Sequence, residues 1–453
     1  MLSTGLVAID STIIATAGPS IVASLGGFAQ FPWLFSIYLL AQAVFVPIYG
    51  KLADIVGRRP IMLLGIGLFL LGSILCGFAW NMGVLIAFRA IQGLGAGAVQ
   101  PMAFTITGDI YTVEERARVT GYISSVWGMS AVIGPTLGGV FSDFLSWRWI
   151  FFVNIPLCLA AAWMLWRNFH ETVVRKRHRI DVMGSALLTV GATLIILGLL
   201  EGGQGWSWDS VEGIGVPVIG VVFLVGFVVV EKHAKEPVLP LWVFTRRVLV
   251  TSSLVSLAVG VGLIGLTLYV PTYAQVSLGT SALVAGFALA TLTIGWPISS
   301  SQAGRLYLRI GFRATSLIGC GLAVIGGAGT LFLDADSAVL ELALWCFVIG
   351  AGLGLVANPT LIAAQTTVGW TERGVVTGNN MFFRSMGSAI GAAVYGALVN
   401  AALPPGTAHT PVAVADATHR VFVGVLVVLL IMTVAVAAMP AGREHIVPRG
   451  AGA

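Results

Sequence analysis

Gly50-Lys51-Leu52-Ala53-Asp54-Ile55-Val56-Gly57-Arg58-Arg59-Pro60 is a short charged segment set between two apolar runs, 33–52 and 61–80. Each run is close to the ~20 residues that a helix needs to cross the hydrocarbon core of a bilayer. Helix is required there because lipid cannot hydrogen-bond an exposed backbone N–H or C=O. The segment therefore reads as the turn of a membrane hairpin, with its charges held at one bilayer face.

Moving outward from this hairpin, apolar runs recur along the chain: 2–22, 33–52, 61–80, 83–106, 120–142, 149–166, 182–200, 213–230, 249–275, 281–302, 314–333, 338–363, 376–400 and 419–439. Fourteen spans are expected, in an all-α membrane protein. Composition agrees. Only 9% of the 453 residues are charged, against roughly 25% in soluble domains, so lipid is the expected solvent. Run 2–22 lacks a basic leader and a cleavage pattern and holds Asp10 and Pro19, so it reads as a span and not a signal peptide. Its start so close to Met1 leaves room for a short cytoplasmic lead ahead of this chain.

The hairpin turn also repeats. Gly304-Arg305-Leu306-Tyr307-Leu308-Arg309-Ile310-Gly311-Phe312-Arg313 follows run 281–302, 254 residues after the first copy. Two six-helix bundles are the natural reading, residues 1–167 and 248–453, joined by two linker helices and loops in 168–247. Internal repeats of this kind build many secondary transporters, with the substrate between the halves.

Orientation follows from the cations. Arg89 and Arg384 lie within spans. With the N-terminus inside, only Arg148 and Arg420 face out, and the other 20 of the 24 Lys and Arg residues face in. Outer loops instead carry Glu201, Asp209, Glu212, Asp334 and Asp336. Both termini are expected in the cytoplasm, in a plasma membrane. Arginine outnumbers lysine 20 to 4, which points to a GC-rich bacterial genome. The basic runs read as topogenic, so the net charge of +5 carries no expectation of nucleic acid.

Embedded charge is the sharpest functional feature. Asp10 lies roughly 12 Å along its helix from Leu2 at 1.5 Å per residue, and a charge at mid-membrane costs at least ~2.5 kcal/mol. It should face a cavity or a partner, and Arg89 is the candidate partner. A carboxylate balanced between burial and a neighbouring arginine can bind and release protons. Asp10 and Arg89 are therefore the expected proton-coupling pair, with a permanently charged structural pair as the competing reading. No histidine lies deep in a span, with His419 at the outer edge of the last. Glu341, near the outer end of span 12, is read as an interfacial group or secondary acid.

Four segments carry a family resemblance. Gly50 to Pro60 resembles the loop signature of the major facilitator superfamily, and Leu85 to Gly97 (LIAFRAIQGLGAG) its span-4 arginine motif. Gly128 to Gly139 (GMSAVIGPTLGG) is similar to its antiporter motif, and Ile9 to Pro19 (IDSTIIATAGP) to a span-1 motif of the fourteen-span drug:proton antiporters. The resemblance implies a cytoplasmic gate at Gly50, Asp54, Gly57, Arg58 and Arg59. It implies an antiporter seal at Gly128, Gly134, Pro135, Gly138 and Gly139, where small residues permit close helix contact and the proline bends the helix. Tight packing alone explains the same glycines. The second loop copy departs from the first, with Leu308 where Asp54 stands, which weakens a symmetric gate.

Polar and aromatic residues in the spans are the candidate cavity lining. The N-terminal set is Tyr38, Gln42, Gln92, Gln100 and Trp127. The C-terminal set is Tyr269, Tyr273, Trp296 and Asn358, then Asn379, Asn380, Phe383 and Arg384. A mostly apolar pocket with few polar groups suits small amphiphilic molecules. Trp147, Trp149, Trp206 and Trp208 fall at outer boundaries, where aromatic belts form.

Multidrug efflux by proton-coupled antiport is the expected function, with substrate, protons and lipid as partners and the monomer as the working unit. Export of one endogenous metabolite or lipid is the second reading, and a transporter-like scaffold or sensor the third. No GxxxxGK[ST] loop, nucleophile–base pair or metal spacing is present in the sequence, so neither ATP drive, enzyme activity nor a cofactor is expected. Cys76, Cys158, Cys320 and Cys346 all sit in apolar stretches and read as small core residues.

Overall fold

The computed structural model describes residues 2–110, 126, 129–130, 133–169, 181–202, 205–234, 237, 241–334, 336–368, 373–403 and 410–440. Among them the chain is almost entirely helical. The first half supplies α1 (Leu2–Leu25), α2 (Trp33–Val56), α3 (Arg58–Gly77), α4 (Met82–Ile110), α5 (133–144), α6 (Trp149–Phe152) and α7 (Asn154–Asn168). Then come α8 (Val182–Glu201) and α9 (Val211–His233). The second half holds α10 (Arg247–Thr272), α11 (Ala282–Ile310), α12 (Phe312–Gly329), α13 (Val339–Thr366), α14 (Arg373–Ala402) and α15 (Pro411–Ala437).

Among the described residues thirteen helical segments are long and apolar enough to cross a membrane, with α6 and α7 counted as one. The described part of α5 falls on the fifth of the fourteen expected spans, whose earlier residues lie largely outside the described set.

Several helices outrun the apolar stretches that announced them. α2 continues to Val56, α4 to Ile110 and α11 to Ile310, because a helix leaving lipid keeps its internal hydrogen bonds while its side chains become polar. α15 starts at Pro411, eight residues before His419. Proline suits a first turn, where its missing N–H has no partner to lose. The sixth span is broken at Val153, between α6 and α7, where Pro156 cannot donate to the carbonyl of Phe152. Thr410, Ser210, Ser281 and Asp181 cap helix starts by accepting from backbone amides three residues on.

The repeated hairpin turn is structural as well as sequential. Gly57 joins α2 to α3 at φ 112°, ψ 155°, and Gly311 joins α11 to α12 at φ 88°, ψ 163°. Positive φ strains any residue with a Cβ, so glycine is required at the same point of both copies.

Within the first half α4 packs against α2 and α3; within the second, α13 packs against α11 and α12, and α10 against α14 and α15. The two halves meet through α2 and α14 and through α1 and α10. Their hydrogen bonds gather at one end. Gln275 Nε2 donates to Thr16 O (3.1 Å), Asn400 Nδ2 to Ala29 O (3.0 Å) and Ser36 Oγ to Ala389 O (3.3 Å). A continuous apolar core fills that end, from Ile13 and Phe35 to Tyr269 and Phe422.

The α8–α9 hairpin packs on this body through α8, which touches α2 and α14; Trp33 Nε1 donates to Glu201 Oε1 at 3.3 Å. α9 exposes Val218, Val222, Val225 and Val229, an apolar face suited to lipid. At the sequence's outer boundaries Trp149 and Trp208 are half exposed, but Trp147 is buried beneath the Arg148 guanidinium, 4.4 Å from its ring.

Candidate functional site

Asp10 is wholly buried on α1, and Arg89 on α4 is 1% exposed. Their side chains pair at 2.8 Å, Arg89 Nη1 to Asp10 Oδ2. Neither charge stands alone. Gln92, one turn beyond Arg89, donates through Nε2 to Asp10 Oδ1 (2.8 Å) and to Ser73 Oγ on α3 (2.8 Å). Asn154, at the start of α7, donates to the same two oxygens at 3.2 and 3.3 Å. Arg89 also donates to Gln92 Oε1 at 2.5 Å and, through Nε, to the Leu34 carbonyl of α2 at 3.2 Å. Its guanidinium lies 4.0 Å from the centroid of the Tyr38 ring, a cation–π contact in a dry setting.

Five spans thus meet in one polar cage around the Asp10–Arg89 pair. Burying an ion pair is tolerable only when the remaining lone pairs and protons find partners, and this cage provides them for both Asp10 oxygens. Two polar atoms at its edge, Tyr38 OH and Asn154 Oδ1, make no hydrogen bond among the described residues. Sequence reading singled out Asp10 and Arg89 as a pair, and Gln92 and Tyr38 only as candidate cavity lining. It missed Ser73 and Asn154, whose only mark was a lone polar residue inside an apolar run (LLGSIL and FFVNIP). Gln42 lies apart from the cage, donating to Gln100 Oε1 at 2.6 Å.

Beside this cage runs the glycine face of α5. A Cβ on Gly134 would collide with Thr12 Oγ1, and one on Gly138 with Thr16 Oγ1 and the Ile13 carbonyl, at 2.7 Å. One on Gly139 would lie 2.6 Å from Leu283 Cα on α11, and Pro135 Cβ would be 2.7 Å from one on Gly286. α5 is therefore wedged between α1 and α11, one from each half. Gly128 and Trp127 lie outside the described residues, as do the side chain of Asp54 and the details of Gly50. Arg59 Nη2 donates to the Trp166 carbonyl of α7.

The second half holds a neutral polar seam between α10 and α14. Asn379 Nδ2 donates to Ser253 Oγ (2.8 Å), Asn380 Nδ2 to Ser252 Oγ (2.9 Å), and Ser256 Oγ to Asn380 Oδ1 (2.5 Å). The three serines were missed because SSLVS reads as ordinary span filler. Phe383 packs on Phe244 and Phe382. Arg384 is half-buried, 5.8 Å from the Trp296 ring centroid. Tyr269 and Tyr273 are buried in the core, Tyr273 against Phe422 with its hydroxyl on the Asp334 carbonyl. Asn358 is exposed on α13.

The profile of the Major Facilitator Superfamily matches residues 1–392. The chain belongs to that superfamily. Its relatives include "Multidrug transporter protein MdtP" of Bacillus subtilis, 36% identical over 88% of this chain and 75% of the relative. "Multidrug resistance protein 3" of the same organism is 35% identical over 86% and 76%. Among solved structures, the nucleoside transporter NupG superposes with a TM-score of 0.66 at 13% identity, covering 97% of both chains. An auto-inhibited peptide transporter of the POT family superposes at 0.68 and 13% identity, covering 96% of both. These likenesses show the all-helical transporter fold of the superfamily. They place the chain among membrane transporters related to multidrug efflux proteins.

Proposed function

We propose that this protein exports small amphiphilic compounds by proton-coupled antiport, alternating access between residues 1–167 and 248–453, with 168–247 as the linker. The observation that carries the reading is the Asp10–Arg89 pair inside its cage. A proton on Asp10 removes the charge that Arg89, Gln92 and Asn154 hold in place. The attraction between α1 and α4 then falls, and α1 is the helix against which α5 and the second half are packed. Proton binding at one residue is thereby linked to the contact between halves.

The hydrogen bonds at the Leu25 end of α1 describe a body closed at that face. With both termini in the cytoplasm, as the cation distribution supports, the closed face is the outer one. Gly134, Pro135, Gly138 and Gly139 form its seal, and the Gly50–Arg59 turn lies at the opposite mouth. A proton entering down ~100 mV supplies about 2.3 kcal/mol, enough to drive a modest uphill gradient of a neutral or singly charged substrate. The protein acts as a monomer in the bacterial plasma membrane.

The test is transport into liposomes under an imposed pH gradient, with lipophilic dyes and antibiotics, wild type beside Asp10→Asn. Gradient-driven movement lost in the variant is the expected result. Equal gradient-driven movement in both would make the ion pair structural and remove Asp10 from coupling.

A further inference from the structure

Arg89 and Arg384 both lie deep within spans, and their surroundings are opposite. Arg89 has an acid, an amide, a carbonyl and an aromatic face. Arg384 makes no hydrogen bond or ion pair among the described residues, and its Nε is buried without an acceptor. Trp296, 5.8 Å away, is the ring facing its guanidinium. A bare guanidinium at this depth costs at least ~2.5 kcal/mol, so a protein that keeps one needs an anion or water to meet it.

Its position is tightly fixed. A Cβ on Gly260 would collide with the Arg384 carbonyl, and one on Gly387 with the Leu257 carbonyl. α10 and α14 therefore touch backbone to backbone on either side of it. The seam one turn away cannot neutralise Arg384, because Asn379, Asn380 and their serines are uncharged and mostly paired with each other. Asn379 Oδ1 has no partner among the described residues, but it is only a neutral acceptor.

Building on the transporter reading above, we propose that Arg384 is the counter-charge for an anionic group on the exported molecule, with Trp296 as the apolar wall beside it. The guanidinium offers a planar fork that matches a carboxylate with two parallel hydrogen bonds, and the indole accepts a flat apolar body. The substrate class is then aromatic or amphiphilic carboxylates, carried as single anions. Arg89 cannot take this role while Asp10 holds it, which leaves the first half to the proton and the second to the ligand's charge.

The experiment is equilibrium binding of 2-naphthoate and its neutral match, 2-naphthamide, to purified full-length protein, read separately from transport. Wild type should bind naphthoate saturably. In Arg384→Gln the ratio of naphthoate to naphthamide affinity should fall at least roughly tenfold, as expected when one side of a buried charge pair is truncated, and Arg384→Lys should recover part of it. A second readout uses wild type alone. Naphthoate should protect Arg384 from phenylglyoxal, scored by mass spectrometry, even if the glutamine variant fails to fold. No saturable naphthoate binding, an unchanged ratio, or no protection would overturn the proposal. Protection by phosphatidylglycerol but not by naphthoate would also overturn it, assigning the cation to a lipid headgroup. Naphthoate binding without gradient-driven movement of any compound would leave the anion site standing and sink the antiport reading instead.

Discussion

Gln92 touches both members of the buried ion pair: its Nε2 donates to Asp10 Oδ1 while its Oε1 accepts from Arg89 Nη1. One amide thus fixes the relative position of two charges on different helices. Replacing it by leucine, similar in length and apolar, removes both contacts and leaves Ser73 with Asn154 alone. Hydrogen bonds to charged groups contribute about 1.5–3 kcal/mol each, so Gln92→Leu should lower the unfolding free energy in detergent by a few kcal/mol. Thermal unfolding of purified protein measures this, and an unchanged midpoint would mean the cage is not cooperative.

Removing either charge should cost more than removing both. Arg89→Gln leaves Asp10 buried without its cation, and breaking such pairs costs ~3–5 kcal/mol. In Asp10→Asn/Arg89→Gln neither charge remains, and Gln92 and Asn154 can still bond the new amide. The double variant should therefore be more stable than the sum of the two single losses predicts. A double-mutant cycle on unfolding midpoints checks this, and strict additivity would deny the pair any direct coupling.

How much of this was legible beforehand differs by residue, and the reason is physical. A charge in an apolar run is conspicuous, so Asp10, Arg89 and Arg384 stood out from sequence. The hairpin glycines Gly57 and Gly311 stood out because their neighbours repeat. Ser73 and Asn154 did not, since a single hydroxyl or amide in a span is common and only its three-dimensional neighbours give it a role. Tyr269 and Tyr273 were singled out by residue type and are buried among the packed helices; nothing in spans apolar all round marks which face looks inward. The ends of α2, α4 and α11 were placed short for a related reason, because hydropathy measures immersion in lipid and not helix length.

The fit of α5 against α1 makes a second-site suppressor predictable. Gly134→Ala drives a methyl into Thr12 Oγ1, a side chain that also donates to the Ser130 carbonyl at 3.1 Å. Overpacking of this kind costs typically ~1–3 kcal/mol and should open a proton leak in liposomes. Adding Thr12→Ala removes the colliding oxygen and should restore part of the seal. Passive pH equilibration across the liposome membrane is the readout, and an equal leak in the single and double variants would show that the glycine matters for another reason.

Contact between the halves can be trapped covalently. A Cβ placed on Gly139 would lie 3.0 Å from Leu283 Cβ and 2.6 Å from Leu283 Cα, so α5 and α11 must part by about an ångström before two cysteines reach the ~3.5–4.5 Å usual for a disulfide. The native thiols Cys76, Cys158, Cys320 and Cys346 are all buried, which keeps the background of oxidation low. Gly139→Cys/Leu283→Cys should crosslink under oxidation as the two helices separate, join α5 to α11, and stop transport in any mechanism that needs this end to open. Reduction should bring transport back. Free movement of substrate through the crosslinked protein would mean that the two helices stay together throughout the cycle, and the opening would have to be sought elsewhere between the halves.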